Sequence, residues 1–142
     1  MDEVYLNMLY DNIFKRKSFH LFRNNKTKEL YRDNHHITDE EINDIYAFFK
    51  NIIPLYKDIK VDIKIVENSL TNCERGQEYC ILFYSEKKDN YIQNIGFIGE
   101  QLDLYLVDNN IGTLWYGIGK TSEQYYNGLE YVTMMVMCKV PN

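Results

Sequence analysis

The sequence is poor in the residues that would tie it together covalently: three cysteines, Cys73, Cys80 and Cys138, with no CxxC pair among them. An odd, scattered set does not make a disulfide framework, and reduced thiols in a cytoplasmic protein are the expected state. No run approaches the roughly 20 apolar residues a membrane helix needs, so a soluble chain is expected. The N-terminal stretch carries Asp2 and Glu3 where a secretory signal would be basic, and it has no long apolar core. Alanine occurs once, at Ala47, amid abundant Asn, Ile, Lys and Tyr, a bias of coding rather than of chemistry. Positive charge is also short: the net charge of −5 argues against a nucleic-acid partner. Internal repeats and low-complexity linkers are absent.

What is present suffices for one core. A chain of 142 residues, 45% hydrophobic and 15% aromatic, fits a single globular domain spanning residues 1–142. The acidic average hides one local excess. From Lys15 to Arg32 there are seven Lys and Arg residues against the single acid Glu29, a segment that reads either as a solvated loop or as an anion site.

Val4, Tyr5, Met8, Leu9 and Ile13 recur at helical spacing and predict a first helix over 2–13. Thr38 to Glu41 reads as a capping box that opens a second helix, buried through Ile42, Ile45, Tyr46, Phe49 and Ile52 and halted before Pro54. Ile59, Val61, Ile63 and Ile65 alternate with polar residues, predicting a half-buried strand, and the apolar run from Tyr79 to Tyr84 predicts a central one. Helical spacing returns from Ile92 to Leu106, predicting a helix over 91–110. Gly96 and Gly99 there suggest close approach by another backbone or a ligand, and Gly112 suggests a left-handed cap. Tyr131 to Val140 is strand-prone. The order implies an α+β fold, a mixed or antiparallel sheet packed with helices.

Several chemical motifs fail on inspection. Gly117 to Thr121 resembles the end of a phosphate-binding loop, but Leu114 stands where a glycine is needed and the segment follows an expected helix rather than a strand. A dinucleotide fingerprint from Gly117 fails at Ser122. His35 and His36 diverge from each other and have no metal-ligating neighbour at ligand spacing. Arg75 could lower the pKa of Cys73, but no base accompanies that thiol.

Two segments carry more. The first is Ile13-Phe14-Lys15-Arg16-Lys17-Ser18-Phe19-His20, after the first helix. The second runs from Gly99 through Asn110-Ile111-Gly112-Thr113-Leu114-Trp115-Tyr116-Gly117. In this order and separation they resemble the two N-terminal signatures of the FMN-dependent nitroreductase family, and the span from Lys15 to Lys139 resembles most closely its putative nitroreductase subfamily.

The resemblance implies a nitroreductase-like fold and an FMN oxidoreductase that takes electrons from NAD(P)H and passes them to a nitroaromatic, quinone or similar acceptor. Arg16 and Ser18 are the implied phosphate contacts, with Lys17 in support, since an arginine fork matches phosphate oxygens. Gly117 would offer its backbone near the flavin ring and Tyr116 would flank it. His20 falls where the family prefers arginine or lysine, and a neutral imidazole stabilises reduced, anionic flavin less than a permanent cation does. The flavin carries the chemistry, so no side chain is assigned as catalytic and no metal is implied. The family also continues into a C-terminal half that this sequence does not match, which implies a fragment, a shortened relative, or a site completed by another copy, and a homodimer with the 91–110 helix at its interface is expected. The alternative is a non-catalytic flavin-binding or dimerisation domain on the same fold.

Overall fold

The computed structural model describes residues 3–141, so the expected first helical residue, Asp2, lies outside the described part. Three α-helices are described: α1 (Glu3–Lys15), α2 (Asp39–Lys50) and α3 (Tyr91–Val107). They accompany one five-stranded sheet: β1 (Val61–Glu67), β2 (Tyr79–Ser85), β3 (Ile111–Tyr116), β4 (Tyr125–Tyr126) and β5 (Leu129–Lys139). The strand order is β1-β2-β5-β3, with β4 paired to β5, and every pairing is antiparallel. This is the expected α+β architecture, resolved to the antiparallel alternative.

Alternation along the strands sorts the sheet into two faces. Ile63, Ile81, Phe83, Met135 and Met137 point into a core shared with Ile45 of α2 and with Ile95, Leu102 and Leu106 of α3. Cys80, Leu82, Tyr84, Met134, Val136 and Cys138 point the other way, into a second core roofed by Phe19, Phe22 and Tyr31 from the long connection after α1. The sheet is therefore covered by helices on one side and largely by irregular chain on the other.

Local chemistry explains the element ends. Thr38 and Glu41 form the reciprocal capping box at the start of α2, and Lys139 at the end of β5 reaches the same carboxylate at 2.5 Å. The helix stops at Lys50, ahead of Pro54. The β4–β5 hairpin turns at Asn127 and Gly128, both at positive φ, as a two-residue hairpin turn of the Asn-Gly type demands.

Three expectations are corrected. The helix expected over 91–110 ends at Val107, and residues 111–116, expected only to follow it, form a strand. The left-handed residue after α3 is Asn110 (φ 54°), because asparagine also tolerates this conformation. Gly112 instead sits within β3, and its missing side chain makes room for the Phe19 ring, whose Cδ2 lies 2.7 Å from where a Cβ would be. Third, Gly96 is exposed and a Cβ there would meet nothing within 4 Å, whereas one on Gly99 would overlap the Trp115 ring. Of the two glycines, Gly99 is the packing position.

Candidate functional site

The first signature segment is laid along the outer edge of β3. Ser18 pairs in parallel with Thr113, and the Phe19 N–H donates to the Thr113 carbonyl at 3.0 Å. The two signatures, about a hundred residues apart in sequence, thus become neighbours. Phe19 stacking on Phe22 (5.7 Å between centroids) and lying over Gly112 fixes this contact from one side.

Asp103 fixes it from the other. This residue of α3 is 1% exposed, accepts from Arg16 Nε at 2.5 Å, and accepts from the Thr113 hydroxyl through its second oxygen. Arg16 Nη1 donates to Ser18 Oγ at 3.1 Å. The guanidinium is therefore aimed rather than free: one edge belongs to Asp103, and Nη2 is left for an anion. α1 is itself pinned to α3 by Asn12, whose amide donates to the Leu104 carbonyl at 2.7 Å. Glu100, one turn before Asp103, has its carboxyl raised above the ordinary range by shielding from water and then by the Asp103 carboxylate, against the pull of Arg16 and the Trp115 indole.

Beside Arg16 lies a cavity of about 360 Å³. Lys15, Arg16, Lys17, Tyr31, Asn110 and Thr113 supply its polar wall, Ile111, Val140 and other apolar residues the rest, and no carboxylate lines it. Ser18 is not part of this wall. Lys17 is exposed, with its ammonium 5.1 Å from the Phe19 ring centre.

Tyr116 and Gly117 lie at the far end of β3, three and four residues past Thr113, or roughly 10 to 13 Å at strand spacing. Gly117 is exposed and a Cβ there would project into open space. His20 is exposed too, and its carbonyl accepts from Arg75 Nη1 at 3.2 Å. Arg75 also lies over the Tyr116 ring, 5.8 Å from its centre. The structure thus groups Arg16, Lys17 and Ser18 at one point of this edge and His20, Tyr116 and Gly117 at another.

Asp103 and Arg75 complete the two groups without being evident in the sequence. A buried acid on an apolar helix is the one signal that could have exposed Asp103.

Other sequence candidates resolve plainly. Cys73 is buried, and burial pushes its thiol up to about 11, overriding Arg75. His36 contacts Glu78 at 2.8 Å. Among the described residues no cluster of His, Cys, Asp and Glu is set to hold a metal. The Gly117 segment does follow a strand, contrary to expectation, but it leads into a turn and β4, with no helix to complete a phosphate-binding loop. No described helix is long and apolar enough to cross a membrane.

The family model described as "Putative TM nitroreductase" matches residues 8–139, and the chain belongs to that family. Solved structures agree on the fold. A nitroreductase with bound FMN from Desulfitobacterium hafniense superposes with a TM-score of 0.71 at 11% identity, over 96% of this chain and 90% of that one. A nitroreductase family protein from Clostridium novyi gives 0.66 at 15%, over 94% and 85%. A "putative nitroreductase" from Thermotoga maritima gives 0.57 at 21%, over 94% of this chain but 49% of that one, so relatives differ in how much chain surrounds the shared fold. No curated protein matches the sequence.

Proposed function

We propose that this chain is an FMN-dependent oxidoreductase of nitroreductase type. It would accept electrons from NAD(P)H and pass them to a nitroaromatic, quinone or similar small acceptor in the cytoplasm. The observation that carries this reading is the outer edge of β3. An aimed arginine and two lysines line a cavity without carboxylates at one place, and the uncovered Gly117 backbone lies in the turn just past the end of the same strand.

These residues suit a flavin mononucleotide. Lys15, Arg16 and Lys17 would hold its phosphate, because charge-assisted donors bind phosphate oxygens strongly and nothing acidic on the cavity wall opposes them, while Ser18, outside that wall, would contribute its hydroxyl from beside Arg16. Tyr116 and Gly117 would border its ring, since a side chain at Gly117 would project into the open space the ring needs. When bound, the flavin supplies hydride and electron transfer. The protein's part is to orient and to shield. Asp103 locks the Arg16 guanidinium through Nε, so little ordering entropy is lost when an anion binds.

Residues 1–142 are taken as one nitroreductase-like domain that works as a homodimer. Exposed apolar side chains are densest on α1, where Val4 is 79% and Phe14 74% exposed, with others on α3 at Ile92 and Phe97 and scattered outside the helices at Leu21, Leu55, Leu70, Ile118 and Tyr125. Apolar groups exposed in this density mark interaction surfaces. A second copy that covers both helices would place α1 as well as α3 in the interface. Purified protein supplied with FMN, NAD(P)H and a nitroaromatic tests the activity. Nicotinamide oxidation that depends on both additions supports the reading, and tight FMN binding without turnover would favour the non-catalytic alternative.

A further inference from the structure

A second cavity, of about 510 Å³, shares no lining residue with the one beside Arg16. Its polar lining comes from Arg32 in the basic segment, from Asn68, Ser69 and Thr71 after β1, and from Glu74 in the turn before β2, with Leu30 among its apolar residues. Hydrogen bonds place it beside the Gly117 turn. Thr71 bridges Thr121, whose hydroxyl donates to the Leu70 carbonyl at 2.9 Å, and the Asn72 N–H donates to the Lys120 carbonyl at 3.0 Å. The basic segment joins the same turn as Glu74, since the Phe22 N–H donates to the Arg75 carbonyl at 2.9 Å and the Tyr31 N–H returns to the Phe22 carbonyl at 3.1 Å. One side of the cavity is thus fastened three and four residues past Gly117, and the other to the turn from which Arg75 reaches Tyr116.

The charge here is unmatched. Arg32 is half-buried and donates from Nη1 to the Gln77 carbonyl at 2.8 Å. Arg23 lies opposite Leu30 in an antiparallel bridge, so its side chain shares the face of the residue that lines the cavity. It too is half-buried, and its Nε is shut off from water with no hydrogen-bond partner. Among the described residues neither arginine forms an ion pair. Glu29, the one acid of this segment, accepts from the Asn34 amide instead, and Glu74 on the cavity lining is exposed. A desolvated donor without a partner costs free energy, and an anion that meets both guanidinium groups removes that cost.

We propose that this cavity takes the adenosine end of the nicotinamide co-substrate, and that Arg23 and Arg32 select the 2′-phosphate that distinguishes NADPH from NADH. The proposal rests on the FMN reading above, which brings the nicotinamide to the neighbouring Gly117 turn. The volume lies within the range of about 300 to 1,000 Å³ usual for small-ligand pockets. Arginine beside the ribose accommodates a 2′-phosphate in dinucleotide sites, whereas an acid there accepts from the 2′-hydroxyl of the unphosphorylated form. Two arginines against one exposed acid set the balance toward phosphate, and the guanidinium fork matches its oxygens.

The test is calorimetric titration of the purified protein with 2′,5′-ADP and with 5′-AMP, which differ only by the 2′-phosphate, followed by the ratio of kcat/KM for NADPH over NADH with FMN supplied. Wild type should bind 2′,5′-ADP about tenfold more tightly or better, and should favour NADPH in the same sense. Arg23→Gln, with folding checked by circular dichroism, should erase most of both preferences. Should that variant not fold, Ser69→Asp puts a negative charge on the exposed cavity lining and should lower affinity for 2′,5′-ADP more than for 5′-AMP. Wild type that binds the two nucleotides equally, or binds neither, overturns the proposal, as does an Arg23→Gln protein with its preference intact. Protein that takes up no FMN yet prefers 2′,5′-ADP contradicts the flavin reading and upholds the anion site. Protein that takes up FMN without that preference contradicts this proposal alone.

Discussion

Arg16 and Asp103, 87 positions apart, meet at 2.5 Å with the carboxylate almost wholly buried and the guanidinium partly so. This one pair fastens the end of α1 to α3, and with Thr113 it ties both to β3. The arginine proposed to hold the phosphate is consequently also a structural residue. Arg16→Ala should weaken FMN binding by about 1 to 3 kcal/mol, and it should also lower stability by several kcal/mol, because an unpaired carboxylate remains inside. Denaturant unfolding and FMN titration on the same sample read both effects. Binding lost with stability unchanged would contradict the shared role.

Lys17 separates the two effects, because it is exposed and touches only the Phe19 ring among the contacts given above. Lys17→Gln should reduce FMN affinity by about 0.5 to 1.5 kcal/mol while leaving the denaturant midpoint in place. Binding that remains at the wild-type level in low salt would remove Lys17 from the phosphate site.

Gly96 and Gly99 should respond in opposite directions. Gly99→Ala drives a methyl into Trp115 and should cost about 1 to 3 kcal/mol. Gly96→Ala meets open space and should gain up to about 1 kcal/mol from helix propensity. Two denaturant midpoints that move the same way would show that the Trp115 contact does not govern α3.

Much of this fold is written in the sequence by periodicity. The capping box at Thr38, the alternation through Ile63 and the apolar run of β2 each follow from a local rule, and each element forms where that rule puts it. β3 escapes because only Asp108, Asn109 and Asn110 separate it from α3, with no Pro or Gly among them, and Ile111 continues the apolar pattern of the helix. The β4–β5 hairpin did carry a legible signal in Asn127-Gly128. The signature residues could be picked out by resemblance, but not their partners: nothing local marks Asp103 as the acid that takes Arg16, or Arg75 as the cation that reaches Tyr116.

The Glu41 carboxylate gives a pH signature. Burial works to raise its pKa, but the hydrogen bond from Lys139 and then that from the Thr38 backbone outweigh it, and the folded value is lowered. A lowered carboxyl stabilises the fold above its unfolded pKa, and that contribution disappears as pH falls through the folded value. Glu41→Gln keeps the capping acceptor and removes the charge. It should cost about 0.5 to 1 kcal/mol at pH 7 and nothing once both forms are uncharged in acid. A cost that persists unchanged at low pH would assign the effect to packing.

Glu100 has the opposite sign. Its folded pKa is raised, so its ionisation lowers stability as pH rises from the unfolded carboxyl pKa through the folded one, and the deficit is complete above both. Glu100→Gln should therefore raise the denaturant midpoint at pH 7 and leave it unchanged in acid. A lower midpoint at pH 7 would show that the carboxylate is held by Arg16 more than it is opposed by Asp103.

Titration of the purified protein with FMN, followed by flavin absorption near about 450 nm and by fluorescence quenching, tests the central claim most directly. The account predicts saturable binding that Arg16→Ala and Lys17→Gln weaken and that a bulky side chain at Gly117, such as Gly117→Val, blocks. Protein that leaves FMN free in solution, or that binds it equally well with Gly117→Val, would contradict the assignment of this strand edge as a flavin site.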